Sequence, residues 1–315
     1  MQGLRGLPVL AVWIVVLMGL FPSLAQGQQA GLRLLATILP VHTFTLNVVG
    51  NAPGVQVELL LPPTLGCPHD YDLSPGEMKR ITRAGVIVAN GLGLEGFLEK
   101  ALKQSGARPR MITATAGIKP LPGDGLAAGT GAGRTSPNDH RHGAESSWNA
   151  HAWVSPQQAA VMVRTIAEGL AGIDPERAAG FRANGNRYAQ RLEGLHGAMQ
   201  ACVARAPNRT IVTVHDSLDY WARDLGLRVA GVIQPLPGVE PSPREMARLV
   251  RLIRDKKVAA IFSEPQYSDQ LARTLGAETG VKVFSLDTAA TGKPGPASYE
   301  QAMHKNLETL CRALR

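Results

Sequence analysis

Aromatic residues, cysteines and long apolar runs are all scarce in this chain. Phe, Trp and Tyr make up 5% of its 315 residues, and its formal charge of +8 is spread along the sequence instead of gathered into a block. A nucleic-acid binder needs a basic stripe with interleaved stacking aromatics, so nucleic acid is excluded as a partner. The charge instead serves solubility and weak attraction to anionic surfaces. Only one apolar run is long, Leu7 to Phe21. At about 15 residues it falls short of the roughly 20 that span a bilayer. With Ser23-Leu24-Ala25 behind it, residues 1–25 read as a cleaved secretory signal. No cysteine stands near that cleavage position, so a lipid-anchored N-terminus is not expected, and the mature protein is expected to diffuse freely in the periplasm. Three cysteines leave at least one thiol unpaired in that oxidising space. Cys202 and Cys311 read either as a bridge closing a long loop or as two buried thiols.

What is present is α/β sequence: 44% apolar and 18% charged residues suit a globular chain large enough for two lobes. Leu32 to Pro40 reads as a buried strand stopped by Pro40, with a helix following to Gly50, and Val55 to Leu61 as a second strand. Ser74-Pro75-Gly76-Glu77 carries a helix start with cap, Pro at the first position and Glu at the third. Val86 to Ala89 is a short buried strand and Gly93 to Gln104 a helix. From 120 to 148 the periodicity is lost to Gly, Pro, Ser, Thr, Asn and Asp, which predicts a mobile surface loop. Ser155-Pro156 restarts helix to about Leu170. Asp174-Pro175-Glu176 then opens a helix of about 30 residues, about 45 Å long, long enough to tie two lobes together as a strut. The second half repeats the alternation: strands at 210–214, 228–233, 258–263 and 281–286, and helices at 217–225, 243–255, 268–280 and 298–314. The expected fold is therefore α/β, with two similar lobes of largely parallel sheet flanked by helices and joined by one long helix. The expected divisions are a signal at 1–25, an N-terminal lobe at 28–173, a linking helix at 174–206 and a C-terminal lobe at 207–315.

Four residues stand at structural breaks: His69, His215 and Asp287 end or follow strands, where open α/β sheets bind ligands, and His151 follows the irregular 120–148 stretch and leads into a helix. His69 sits between Pro68 and Tyr71, His151 before Ala152-Trp153, His215 after Ile211 to Val214, and Asp287 after Val281 to Leu286. Three neutral imidazoles and one carboxylate suit a four-coordinate zinc ion. Each also has a plainer reading. His69 is a solvated loop residue, His151 a linker histidine against Trp153, and Asp287 a strand-to-helix cap; Asp216 caps the next helix, or replaces His215 as ligand. Glu264 ends the neighbouring strand and reads as a carboxylate that orients a ligand imidazole, or as a fifth donor. Cys67 reads as a packed cysteine, because Pro68 restricts it from joining His69 on one ion. Ligands scattered across the chain need a large fold to unite them, so a carrier or an enzyme is expected and a zinc finger is not.

The segments Leu61-Pro62-Pro63, Pro68-His69-Asp70-Tyr71-Asp72-Leu73-Ser74-Pro75, Asn90-Gly91-Leu92-Gly93-Leu94-Glu95, His151-Ala152-Trp153-Val154-Ser155-Pro156, Val214-His215-Asp216 with Tyr220, and Phe262-Ser263-Glu264-Pro265-Gln266 resemble, in order and spacing, the substrate-binding proteins of zinc and manganese ABC transporters, cluster A-I. The resemblance covers essentially the whole chain after the signal. It implies two lobes joined by a rigid helix, with the metal in the cleft between them on His69, His151, His215 and Asp287. It also implies no enzymatic activity, a membrane permease as partner and a monomer. Manganese-selective members have Glu at the third ligand position, so His215 implies zinc. Cys67 departs from the small residue usual before Pro68. The 120–148 segment stands where zinc-binding members carry a His-rich loop but holds only His140 and His142. The rival readings are a secreted zinc hydrolase with Glu264 as base, against which no His-Glu-x-x-His appears, and a surface adhesin that uses its metal structurally.

Overall fold

The structure is a computed structural model that describes residues 31–66, 68, 71–123, 148–235 and 239–315. The predicted signal, Cys67, His69, Asp70, and His140 and His142 with most of the predicted loop lie outside the described residues.

The first half runs β1 (Leu32–Ala36), α1 (Leu39–Val49), β2 (Val55–Leu59), α2 (Pro75–Arg83), β3 (Val86–Ala89), α3 (Gly96–Ser105) and β4 (Arg110–Thr113). α4 (Pro156–Ile173) and α5 (Ala178–Ala204) follow. The second half runs β5 (Thr210–Thr213), α6 (Asp219–Leu225), β6 (Arg228–Val232), α7 (Pro243–Asp255), β7 (Ala260–Ser263), α8 (Gln270–Thr279), β8 (Val283–Ser285) and α9 (Ser298–Ala313). The strands form two four-stranded sheets ordered β2-β1-β3-β4 and β6-β5-β7-β8, and every pairing is parallel. The expected fold class is what the chain adopts. Parallel strands are buried on both faces, so their sequences are continuously apolar: β3 and β7 are buried at all four positions.

Three local expectations are corrected. Pro40 does not stop the first strand; it lies in the first turn of α1, where its fixed φ is pre-set for helix and its missing N–H would have had no helical partner. The edge strand β4 was not expected, because Arg-Met-Ile-Thr is short and exposed except at Ile112. The long helix begins at Ala178 instead of Pro175, because Asp174 and Arg177 close a separate turn, with the Arg177 N–H on Asp174 Oδ1 at 3.3 Å.

α5 spans 27 residues, about 40 Å, and packs against α1 and α4 from the first half and α6 and α9 from the second. A Cβ on Gly185 would lie 2.6 Å from Ala167 Cβ, so glycine there lets α4 and α5 approach closely. The second half is tied to the helix covalently: Cys202 on α5 and Cys311 on α9 form a disulfide across 109 residues. Of the two readings of these cysteines, the bridge is the one the fold adopts.

Candidate metal centre

The carboxyl ends of both sheets are joined by hydrogen bonds between the loops that carry the predicted ligands. After β5 the chain stays extended at His215, whose ring is buried at 4% exposure. Its Nδ1 lies 2.8 Å from the Gln234 carbonyl. A carbonyl only accepts, so Nδ1 carries the proton and Nε2 keeps its lone pair. That Nε2 is buried with no hydrogen-bond partner among the described residues, which in a native fold asks for an explanation such as an ion. Burial holds the His215 pKa below its ordinary value, against an opposing effect of the Gln234 bond, so the ring is in the neutral form that binds metal. The Tyr267 ring stands edge-on to it with centroids 4.3 Å apart.

His151 precedes a 3₁₀ turn over Ala152–Val154 and is buried. Its backbone N–H and its Nδ1 both meet Asn149 Oδ1, at 2.9 and 3.0 Å. Two residues on, Trp153 donates from Nε1 to the Thr288 carbonyl at 3.0 Å, which brings the His151 segment to the residue after Asp287. Asn149 Nδ2 donates to the Asp216 carbonyl at 2.9 Å, which brings it to the residue after His215. Asp216 is the first residue of a 3₁₀ turn over Asp216–Leu218, but the cap positions are His215 for that turn and Leu218 for α6, neither with a side-chain cap bond, so the expected capping by Asp216 is corrected.

Asp287 follows β8, and Asn306 on α9 clamps its backbone: Asn306 Oδ1 accepts from the Asp287 N–H at 2.9 Å and Asn306 Nδ2 donates to its carbonyl at 2.7 Å. Asp287 Oδ1 accepts the Ala289 N–H at 2.8 Å. Ala289 is held at φ 57°, the left-handed region that costs a non-glycine residue energy and clusters near functional sites. No helix starts there, for α9 begins at Ser298 with Ala297 as its cap residue, so the expected strand-to-helix cap at Asp287 is corrected to a turn bond at one of its two oxygens.

Glu264 is 2% exposed and accepts from Ser217 Oγ and Gln266 Nε2, each at 2.7 Å. Its partners among the described residues include no imidazole, and His69 lies outside them. Glu264 shapes the site through its neighbours, for Gln266 Nε2 also reaches Thr288 Oγ1 at 2.9 Å. Burial and then the nearby Asp216 charge push its pKa up to about 7, while the bonds from Ser217 and Gln266 pull it down.

The approach to residue 69 arrives at the same place. A Cβ on Gly66 would lie 3.7 Å from Tyr267 Oη and 3.8 Å from Gln266 Cγ, and the Gly292 N–H donates to the Pro63 carbonyl at 2.9 Å. Among the described residues no three His, Cys, Asp or Glu side chains form a group able to hold a metal ion; His69, the fourth predicted donor, lies outside them. The residues that sequence reasoning did not single out are Asn149, Gln234, Tyr267 and Asn306. Asn149 stood two residues before a candidate ligand, and Gln234 stands just beyond β6; their partners were not predictable from local pattern.

A family model described as the periplasmic component A of the zinc-uptake complex matches residues 34–313. The zinc-binding lipoprotein AdcA of Streptococcus pneumoniae is 30% identical over 295 residues, 90% of this chain and 56% of its own length. The chain therefore spans just over half the length of that relative. Among solved structures, the substrate-binding protein FpvC of Pseudomonas aeruginosa in complex with a nickel ion is 30% identical, covers 90% of this chain and 97% of its own, and superposes with a TM-score of 0.75. A crystal structure of ZnuA is 25% identical over 90% of this chain and 100% of its own, with a TM-score of 0.73. With the matching model spanning nearly all of the described residues and the same two-sheet fold in these neighbours, the chain belongs to the family of periplasmic zinc-uptake complex component A proteins.

Proposed function

We propose that this protein captures Zn(II) outside the cytoplasm and delivers it to the permease of an ABC-type importer, carrying out no covalent chemistry. The observation that carries this reading is the buried, lone-pair-bearing Nε2 of His215, which has no partner among the described residues, at the junction of loops from both sheets. His69, His151 and His215 with Asp287 make up the ligand set, two donors from each half of the chain. Nitrogen donors outnumber oxygen donors in that set, which favours zinc over manganese. Glu264, the carboxylate a zinc hydrolase would employ as base, is committed to Ser217 and Gln266. AdcA is a zinc-binding protein by name, which supports the cargo; FpvC bound to nickel makes metal competition the natural control. The working form is a monomer with its signal at 1–25 removed. Its N-terminal lobe covers 28–173, its linking helix 174–206 and its C-terminal lobe 207–315, with the ion between the lobes.

Calorimetry on the metal-free protein tests this. Wild type is expected to bind one zinc ion, and His69→Ala with His215→Ala to lose that binding. Undiminished zinc binding by the double variant would sink the ligand set, and a preference for manganese at equilibrium would sink the cargo assignment.

A further inference from the structure

Asn149 is 3% exposed, yet each of its polar groups has a partner. Its N–H donates to the Leu121 carbonyl at 2.8 Å, and its carbonyl accepts from Tyr220 Oη at 2.9 Å. Its side-chain orientation is fixed by two backbone groups with only one role each: the Asp216 carbonyl must accept, so Nδ2 faces it, and the His151 N–H must donate, so Oδ1 faces that. With Oδ1 thus placed 3.0 Å from His151 Nδ1, the imidazole nitrogen there is the donor. A neutral ring has one proton, so the lone pair falls on Nε2.

We infer that Asn149 is the positioning residue of the zinc site: its amide oxygen sets the Nε2-ligating tautomer of His151 while its amide nitrogen ties that imidazole to the His215 turn. The inference rests on the proposed ligand set and deepens it. The two imidazoles belong to different halves of the chain and reach the same tautomer by different means, His151 through a side-chain amide and His215 through the Gln234 carbonyl. Burial and then the nearby Asp216 charge push the Asp219 pKa up to about 7, and the Asn149 side chain opposes that rise. Tyr220 Oη, held between the Leu121 N–H and the Asn149 carbonyl, braces Asn149 from the second half. Outer partners of this kind orient ligating histidines, and their loss costs about 10–100-fold in metal affinity.

The test reads the tautomers directly, by long-range proton–nitrogen NMR on the metal-free protein, alongside zinc affinity by competition with a chelator. Wild type is expected to show His151 and His215 both protonated at Nδ1. Asn149→Ala is expected to shift His151 toward the Nε2-protonated form, leave His215 unchanged and weaken zinc about 10–100-fold. Asn149→Asp keeps the acceptor and loses the donor, so it restores the His151 tautomer and recovers part of the affinity. It also serves if the alanine variant does not fold. An alanine variant with His151 still protonated at Nδ1 and zinc affinity within about twofold of wild type overturns the inference, as does an aspartate variant whose His151 protonates at Nε2. Because the tautomers are read without zinc, failure of wild type to bind zinc counts against the proposed function alone.

Discussion

The two halves of this protein use one topology to different ends. Both sheets have the order second, first, third, fourth strand, and each is followed by a buried carboxylate after its third strand: Glu95 beyond β3 and Glu264 at the end of β7. Both carboxyls are raised by burial above their usual pKa, but their partners differ. Glu95 accepts from Thr37 Oγ1 at 2.7 Å and from the backbone N–H groups of Asn90 and Gly91 at 2.7 and 3.0 Å. That arrangement needs glycine at 91, where φ is 94° and a Cβ would lie 2.4 Å from Thr113 Cγ2. Among the described residues the Glu264 carboxylate has only side-chain donors. The first half thus closes its strand ends with rigid backbone, and the second with side chains.

Packing differs in the same way. Leu34, Leu35, Val86, Ile87 and Val88, from both faces of the first sheet, share one large core. The second sheet sorts alternate residues into two: Ile211, Ala260 and Phe262 join the large core, while Val212 and Ile261 form a satellite with Ile253 and Leu275 of α7 and α8. A strand's period of two puts neighbours on opposite faces. The lesson is that the face of the second sheet turned toward α5 and α9 shares a core with the first half, while its other face is energetically separable.

The largest effect expected on this contrast comes from the bridge. Reducing Cys202–Cys311, or replacing either with Ser, should lower stability by about 4–5 kcal/mol in the chain-entropy model, read as the denaturant midpoint; an unshifted midpoint would mean the α5–α9 seam does not need its tether. Next come paired cavities. Phe262→Ala, which loses contacts with Trp221 and Phe284, should cost about 3–5 kcal/mol and weaken zinc, whereas Ile253→Ala should cost about 2–5 kcal/mol with zinc affinity retained. Equal loss of zinc binding in both would erase the distinction between the cores.

A third expectation concerns pH. Glu264 has a folded pKa of about 7 against an ordinary 4.5. A raised value favours the protonated form in the folded protein, so its contribution is fully present below about 4.5 and is lost as pH climbs through 7. At about 1.4 kcal/mol per unit this amounts to roughly 3 kcal/mol. Thermal unfolding of metal-free Glu264→Gln at pH 5 and pH 8 should show a smaller pH difference than wild type; an unchanged difference would remove Glu264 as its source.

The smallest effect separates two matching caps. α2 starts with the capping box Ser74 and Glu77, and α7 with Ser242 and Glu245. Glu77 is 4% exposed and also accepts from Tyr71 Oη at 2.9 Å. Ser74→Ala should therefore cost about 1–2 kcal/mol and Ser242→Ala about 0.5–1 kcal/mol, compared by chemical denaturation; the reverse order would show that the buried Glu77 network adds nothing to its cap.

Much of this was legible in sequence, for local reasons. The boxes announce themselves as Ser-Pro-x-Glu, the strand β3 as an unbroken apolar run, and α7 was located to both ends because a proline cap and an arginine-rich amphipathic pattern bound it. β4 was missed because four residues, three of them exposed, carry too little pattern. At the site, residue type singled out His151 before a helix start and His215 and Asp287 at strand ends, but not Asn149, Gln234 or Asn306, whose roles exist only through partners distant along the chain or through a proton's place on a ring.

Composition and periodicity by themselves determined that this is an α/β chain of two similar halves with candidate metal donors in its loops, since burying apolar faces at periods of 2 and 3.6 is a local constraint. Only the tertiary structure decided that Cys202 meets Cys311, that His215 keeps a buried lone pair, and that Asn149 reaches both imidazole segments. Those facts depend on side chains brought together by packing across both halves of the fold, and no short window of sequence contains both partners.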